Sequence, residues 1–277
     1  MARESDRGTG RPLRNMVSLL IKHRDLTWEL AKRDLSERYV GQWLGMLWVV
    51  AHPLFTMSVY VFVFAVILKI KLDVVPDLSG DYVVYLLAGL IPWLAFQDVM
   101  AKSCGAVTGH ASLVKQVVFP VEVLPVKGML ASLIPQLIGT GILVGYVLVR
   151  RREVPLIYGL LSVLFVVQFL AMVGTSFLLS SVAVYFRDLK DFVQVFGVVG
   201  VYMMPVLYLP DWVPPSFQPL LYVNPFSYMV WCYQDVLYFG GFHHPWAWPV
   251  FTTLSIGILY AGYAVFRHLK TSFGNIL

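Results

Sequence analysis

Residues 191–266 read DFVQVFGVVGVYMMPVLYLPDWVPPSFQPLLYVNPFSYMVWCYQDVLYFGGFHHPWAWPVFTTLSIGILYAGYAVF, 76 residues between Lys190 and Arg267 without one Lys or Arg. The first 41 residues, by contrast, hold nine: Arg3, Arg7, Arg11, Arg14, Lys22, Arg24, Lys32, Arg33 and Arg38. Basic residues stay on the cytoplasmic side of a membrane, whereas segments without them cross it or lie beyond it. The contrast orients the chain with its amino end inward. It also isolates an aromatic, Pro-rich stretch, Pro205–Pro249, at the outer side.

Composition agrees. The chain is 58% hydrophobic and 13% charged with mean hydropathy +0.71, against roughly a quarter charged residues in soluble domains. An all-α, polytopic membrane protein is expected. A spanning helix needs about 20 mostly apolar residues, and six segments qualify: about 43–68, 82–101, 123–149, 156–185, 192–209 and 246–266. The net charge of +5 sits on flanks that face anionic lipid, so membrane lipids rather than nucleic acid are implied as partners. Leu19-Leu20-Ile21 is too short for a signal core, so the first span is expected to act as an uncleaved anchor. With both termini cytoplasmic, sixteen basic residues lie inside and five outside. The exception, Arg150-Arg151-Arg152, is placed at outer headgroups. This topology suits a multi-pass protein of the bacterial cytoplasmic (inner) membrane.

Residues 1–17 are polar and basic without apolar periodicity, and read as a disordered tail. Residues 18–40 read as a helix in the interface plane, with Leu19, Leu26 and Leu30 on one face. A helix packed on a cytoplasmic partner is the alternative. His52-Pro53 lies in the first span, as a packing residue or a proton relay. Asp98 and Lys102 stand four apart near the inner end of the second span, close enough to pair on one helical face. They serve either function or structure. Cys104 and Cys232 read as small packing residues. Ala111–Pro125 is too short and charged to cross, and its valines suit an amphipathic helix docking into a cytoplasmic groove. Gly141 and Gly145 form a small-xxx-small pair. Arg187 and Asp188 belong to the remaining inner-face charge cluster. The outer prolines leave two short apolar pieces, Pro215–Val223 and Pro225–Phe239, expected to be re-entrant or interfacial.

Several strips, in order, resemble a known family. Arg33-Asp34-Leu35-Ser36-Glu37-Arg38-Tyr39, Leu44-Gly45-Met46-Leu47-Trp48 and His52-Pro53-Leu54 resemble the start of ABC-2-type transporter permeases of the polysaccharide and polyol-phosphate exporter group. Ala88-Gly89-Leu90-Ile91-Pro92-Trp93, Leu113–Pro125, Tyr185-Phe186-Arg187-Asp188, Asn224-Pro225-Phe226 and Arg267–Leu277 are similar to that family too. The likeness covers nearly everything after residue 18. His52 stands where the family commonly has Asn, and Gly41-Gln42 where small polar residues are usual. The resemblance implies an ABC-2-type transmembrane domain over 18–277 that forms a homodimer and binds two copies of a cytoplasmic ABC ATPase subunit. It exports a lipid-linked glycan such as O-antigen, with capsule or teichoic acid polymers as alternatives. Leu113, Val114, Lys115, Gln116, Phe119, Pro120 and Glu122 would then belong to the coupling helix, and Arg33 and Arg38 to the interfacial helix, all as ATPase contacts. Arg187, Asp188, Asp98 and Lys102 are expected to form cytoplasmic-gate structure.

The chain has no G-x-x-x-x-G-K-[ST] strip, so ATP and Mg are expected in the partner subunit, with no cofactor bound here. Polymer passage calls for aromatic faces that meet sugar C–H surfaces and release them again. The candidates are Trp93, Phe96, Tyr202, Tyr208, Trp212, Tyr222, Phe226, Tyr228, Trp231 and Tyr233; an ordinary aromatic belt is the alternative. Nothing resembles a catalytic or metal-ligand constellation, and His243-His244 reads as solvated loop. A membrane-embedded glycosyl- or phosphotransferase would need grouped acids, and Asp73, Asp77 and Asp81 form such a group. A non-transporting assembly scaffold is a third reading.

Overall fold

The computed structural model describes residues 12–37, 40–70, 81–115, 119–151 and 155–276. Every regular element there is helical. Five helical stretches are long and apolar enough to span: Gly45–Ile67, Tyr82–Ala106, Val123–Arg150, Leu156–Val182 and Ala247–Ser272. The sixth expected span, 192–209, is not one continuous helix. It forms a helix over Leu189–Gly200 with a 3₁₀ turn, Val201–Met203, and then leaves helical geometry. Pro205 is the cause: a residue before proline is pushed out of the α region, and Met204 is extended at φ −128, ψ 158. Fifteen helical residues reach about 22 Å, short of the hydrocarbon thickness of about 30 Å.

The amino-terminal part also differs from expectation. Helix α1, Pro12–Lys22, begins inside the stretch read as a tail, and its Met16 is buried. Helix α2, Arg24–Glu37, follows after a break at His23, so the interfacial segment is two helices. The first span comprises a 3₁₀ turn, helix α3 (Trp48–Val61) and a π turn, Phe62–Ile67. Helix α4, Tyr82–Ala106, is the central post: 78% of its most apolar window is buried, against 6% for the α3 stretch. Beyond it come α5 (Ala111–Val114), α6 (Val123–Arg151), α7 (Leu161–Val182) and α8 (Leu189–Gly200).

Between α8 and the last span lie two short helices, α9 (Gln218–Val223) and α10 (Pro225–Gln234), the latter continued by a π turn, Asp235–Phe239. The Asn224-Pro225-Phe226 strip is a helix start. Pro225 occupies the first turn, and the Asn224 side chain accepts from the Phe226 backbone N–H at 3.0 Å. Asn224 Nδ2 also donates to the Met203 carbonyl, pinning α10 to the end of α8. Gly240, at φ 67, ends the π turn in the left-handed region that favours glycine. Helix α11, Ala247–Leu269, completes the bundle, and α12, Phe273–Ile276, closes it.

Lipid tails are as apolar as leucine, so close backbone approach rather than water exclusion decides helix pairing in a bilayer. The tightest approach joins α7 and α11. A Cβ at Gly174 would lie 2.5 Å from Leu259 Cα, and one at Gly262 would lie 2.0 Å from the Gly174 carbonyl oxygen. Gly141 and Gly145, singled out in the sequence, instead face open space.

Candidate functional site

At the inner end of the bundle, three clasps tie the segments read as the coupling region. Lys127, on the first turns of α6, donates to Asp34 Oδ1 of α2 at 3.0 Å and to His110 Nε2 at 3.1 Å. The Ala106 carbonyl, 3.0 Å from His110 Nδ1, can only accept, so the ring carries its proton on Nδ1 and receives Lys127 on Nε2. Lys270, past α11, pairs with Glu122, which is buried. Asp98 and Lys102 pair at 2.7 Å, and Ser132 of α6 bridges them, donating to Asp98 Oδ2 at 2.7 Å and receiving from Lys102 at 2.9 Å.

Burial, and then the Lys127 ammonium, hold the His110 pKa below its usual 6.5. The folded state therefore favours the neutral ring. Its contribution to stability is complete above about pH 6.5 and is lost as pH falls through the lower folded value. Acidifying the purified protein from pH 7.5 to 5.5 is expected to lower the thermal midpoint by about 1–2 °C through this group. His110→Gln, which keeps an acceptor but cannot charge, should lack that component of the wild-type pH dependence.

The expected docking helix Ala111–Pro125 is a shorter affair. Helix α5 has four residues, Ala111–Val114, and Phe119-Pro120 is non-helical, as a residue before proline tends to be. Lys115 and Arg33 are exposed; Leu113, Val114, Phe119 and Pro120 are half-buried. Glu122 is turned inward on Lys270, so its carboxylate does not face a docked protein. Gln116 and Arg38 lie outside the described residues. Arg187 and Asp188 are exposed at the α7–α8 turn, apart from the Asp98–Lys102 pair.

The aromatic set divides. Trp93, Phe96, Trp231 and Tyr233 are buried inside the bundle and cannot touch a passing sugar. Trp93 and Phe96 pack edge-on against Phe226, with Phe196 alongside, locking α4, α8 and α10 together. Trp93 fits because Gly200 has no side chain: a Cβ there would come within 2.5 Å of its ring. Tyr202, Trp212 and Tyr222 are exposed, while Tyr208, Phe226 and Tyr228 are half-buried. These six remain available to a substrate. Trp231 instead stacks on His244 and, with Tyr222, Tyr228 and Trp246, builds an outer aromatic cluster.

Two polar centres escaped the sequence reading. In mid-bundle, Gln136 of α6 donates to Gln168 of α7 at 2.6 Å and to Tyr233 of α10 at 3.2 Å. Gln168 donates to the Pro92 carbonyl at 3.2 Å and accepts from Tyr233. Both glutamines interrupt apolar spans, which is itself a signal, since polar groups at that depth must find partners. At the outer end, Asp235 is fully buried in the π turn. It accepts from the His244 backbone N–H at 3.1 Å, from the Trp248 indole at 3.0 Å, and faces His244 Nδ1 at 2.9 Å. His244 is thus a partner of Asp235 rather than a solvated loop residue.

The acidic group that a transferase would need is not assembled by what is described. Asp81 contacts Tyr146 and Arg150, and Asp73 and Asp77 lie outside the described residues.

A helical bundle of this form, with long apolar helices, short outer helices between α8 and α11, and ion-paired inner turns, is a polytopic membrane transport protein. The chain belongs to the ABC-2 type transporter family, whose sequence profile it matches over residues 25–238. It is 27% identical over 255 residues to the O-antigen export system permease protein RfbA of Klebsiella pneumoniae, covering 91% of this chain and 95% of that one. It is 25% identical over 262 residues to the protein of the same name from Myxococcus xanthus, covering 94% and 98%.

Proposed function

We propose that this chain is the membrane permease of an exporter that carries a lipid-linked, O-antigen-like polysaccharide out across the cytoplasmic membrane. The observation that carries the reading is the nearly end-to-end similarity to relatives named O-antigen export permeases. Two copies pair, and each recruits one copy of a separate cytoplasmic ATPase subunit where ATP and Mg act. Both termini face the cytoplasm, as the basic amino-terminal segment favours. The nearly unburied α3 stretch and the exposed face of α8, bearing Val195, Val198 and Tyr202, support a pairing surface. The exposed Lys115 and the neighbouring Phe119 form the seat of the ATPase. Motion there reaches the bundle through the Lys127–Asp34 and Glu122–Lys270 clasps.

Lys115→Glu combined with Phe119→Ala is expected to insert normally into the membrane and to lose co-purification with the ATPase. Full recovery of the ATPase with the double variant would overturn the docking assignment. The function itself is tested by ATP-driven transfer of a defined lipid-linked O-antigen into vesicles containing the purified complex; no transfer would reject it.

A further inference from the structure

Between α3, α4 and α6 lies a cleft of about 260 Å³, slightly below the 300–1,000 Å³ of pockets for drug-sized ligands. His52 and Thr56 line it from α3, Gln97 and Asp98 from α4, Ser132 and Gln136 from α6. Its floor is apolar, formed by Ile91, Leu94 and Ala95. Near Met57, on the cleft wall, α3 and α6 approach closely: a Cβ on Gly139 would come 2.4 Å from Met57 Cε.

We infer that this cleft is a binding site for one uncharged sugar ring of the exported polymer, held by Gln97 and His52. The inference rests on the export reading above and adds a place for the substrate that the aromatic residues do not supply.

Three observations carry it. First, an amide in a membrane bundle needs partners, yet the Gln97 side chain has no hydrogen bond to any described residue. It is nevertheless held in place, because it lies over Gly197 of α8, where a Cβ would sit 2.7 Å from Gln97 Cγ and 2.9 Å from Nε2. A carboxamide so fixed offers a donor and an acceptor together, the pattern that two neighbouring sugar hydroxyls match. Second, the ring of His52 is exposed on the facing wall, likewise without a hydrogen bond to a described residue. Third, the charge in the cleft is balanced. Lys102 is neutralised by Asp98, and Ser132 bridges them. A phosphate would meet the Asp98 carboxylate with no spare cation, whereas a hydroxyl can donate to that carboxylate. The apolar floor suits the C–H face of a sugar ring. The site is built for a neutral, hydroxyl-rich ligand rather than for a lipid headgroup phosphate.

Photo-crosslinking in intact cells tests this. Ala101, an exposed residue at the cleft, and Trp212, at the outer surface, are each replaced in separate strains (Ala101→p-benzoylphenylalanine, Trp212→p-benzoylphenylalanine). Adducts are stained for carbohydrate after periodate oxidation, in cells that make the polymer and in cells that do not. Polymer-dependent carbohydrate adducts at both positions are the expected result. An adduct at 212 and none at 101 overturns the cleft while the export reading stands. No adduct at either position counts against both. Phospholipid alone at 101 makes the cleft a lipid seat and also overturns the inference. Adding Gln97→Met, which keeps the length that lies over Gly197 but removes the hydrogen bonds, should lower the ratio of the 101 to the 212 adduct by about three- to tenfold. An unchanged ratio removes Gln97 from the site.

Discussion

Valine at Gly262 is expected to leave no folded permease in the membrane. The collision it causes is with backbone. A Cβ at 262 would stand 2.0 Å from the Gly174 carbonyl oxygen and 2.9 Å from its carbonyl carbon, and the Cβ of a residue at 174 would meet the α11 backbone at Leu259. Overpacking against mobile side chains costs about 1–3 kcal/mol. Here neither wall can rotate away, so α7 and α11 must separate along the tightest seam of the bundle. That separation unpacks Phe177 from Tyr263 and Phe266, whose rings now meet edge-on at 5.4 and 5.0 Å. The expected cost therefore exceeds about 3 kcal/mol, beyond what most single substitutions impose. Detergent-extracted protein from Gly262→Val cells should be aggregated on size exclusion and should not support export. Gly141→Ala and Gly145→Ala are the matched controls, since a Cβ at either glycine meets nothing within 4 Å. If Gly262→Val runs as a monodisperse peak with normal yield, the α7–α11 seam is not as close as described.

That seam also shows where reading a sequence stops. Spans were legible because the bilayer demands about 20 apolar residues in a row, and four of the six boundaries fall within a few residues of the helices found. The glycine pair that mattered was not legible. Gly141-xxx-Gly145 announces itself by spacing, whereas Gly174 and Gly262 belong to different helices and meet only once both are placed. The broken span at 192–209 was legible in principle, because Pro205 excludes Met204 from a helix; hydropathy alone overrode it. The aromatic path failed for another reason. A helix apolar all round carries little periodic signal for which ring turns inward, so Trp93 and Tyr202 looked equivalent although one is buried and the other exposed. Likewise Glu122 looked like a docking residue until Lys270, 148 positions away, was seen to hold it.

The second large effect is expected at Asp235. Asp235→Leu should detach the outer loop from the bundle and abolish export. The carboxylate is fully buried and gathers the His244 backbone N–H, the His244 ring and the Trp248 indole, so one side chain anchors both the 240–246 turn and the start of α11. Hydrogen bonds to a charged group are worth about 1.5–3 kcal/mol each. Removing the acceptor also strands three donors where water is scarce, and breaking a buried ionic contact by deleting one partner costs about 3–5 kcal/mol. The consequences spread through stacking: His244 supports Trp231 at 5.6 Å, and Trp231 supports Trp246, Tyr222 and Tyr228. Tyr222, which faces outward, would lose its backing. Asp235→Asn separates charge from shape, keeping one acceptor oxygen for the Trp248 indole or the backbone N–H. It should retain a folded bundle with weakened export, while Asp235→Leu should show a protease-sensitive outer loop in right-side-out vesicles. Equal protease resistance of Asp235→Leu and wild type would mean that the loop is held by aromatic packing alone, and that the buried carboxylate is not its anchor.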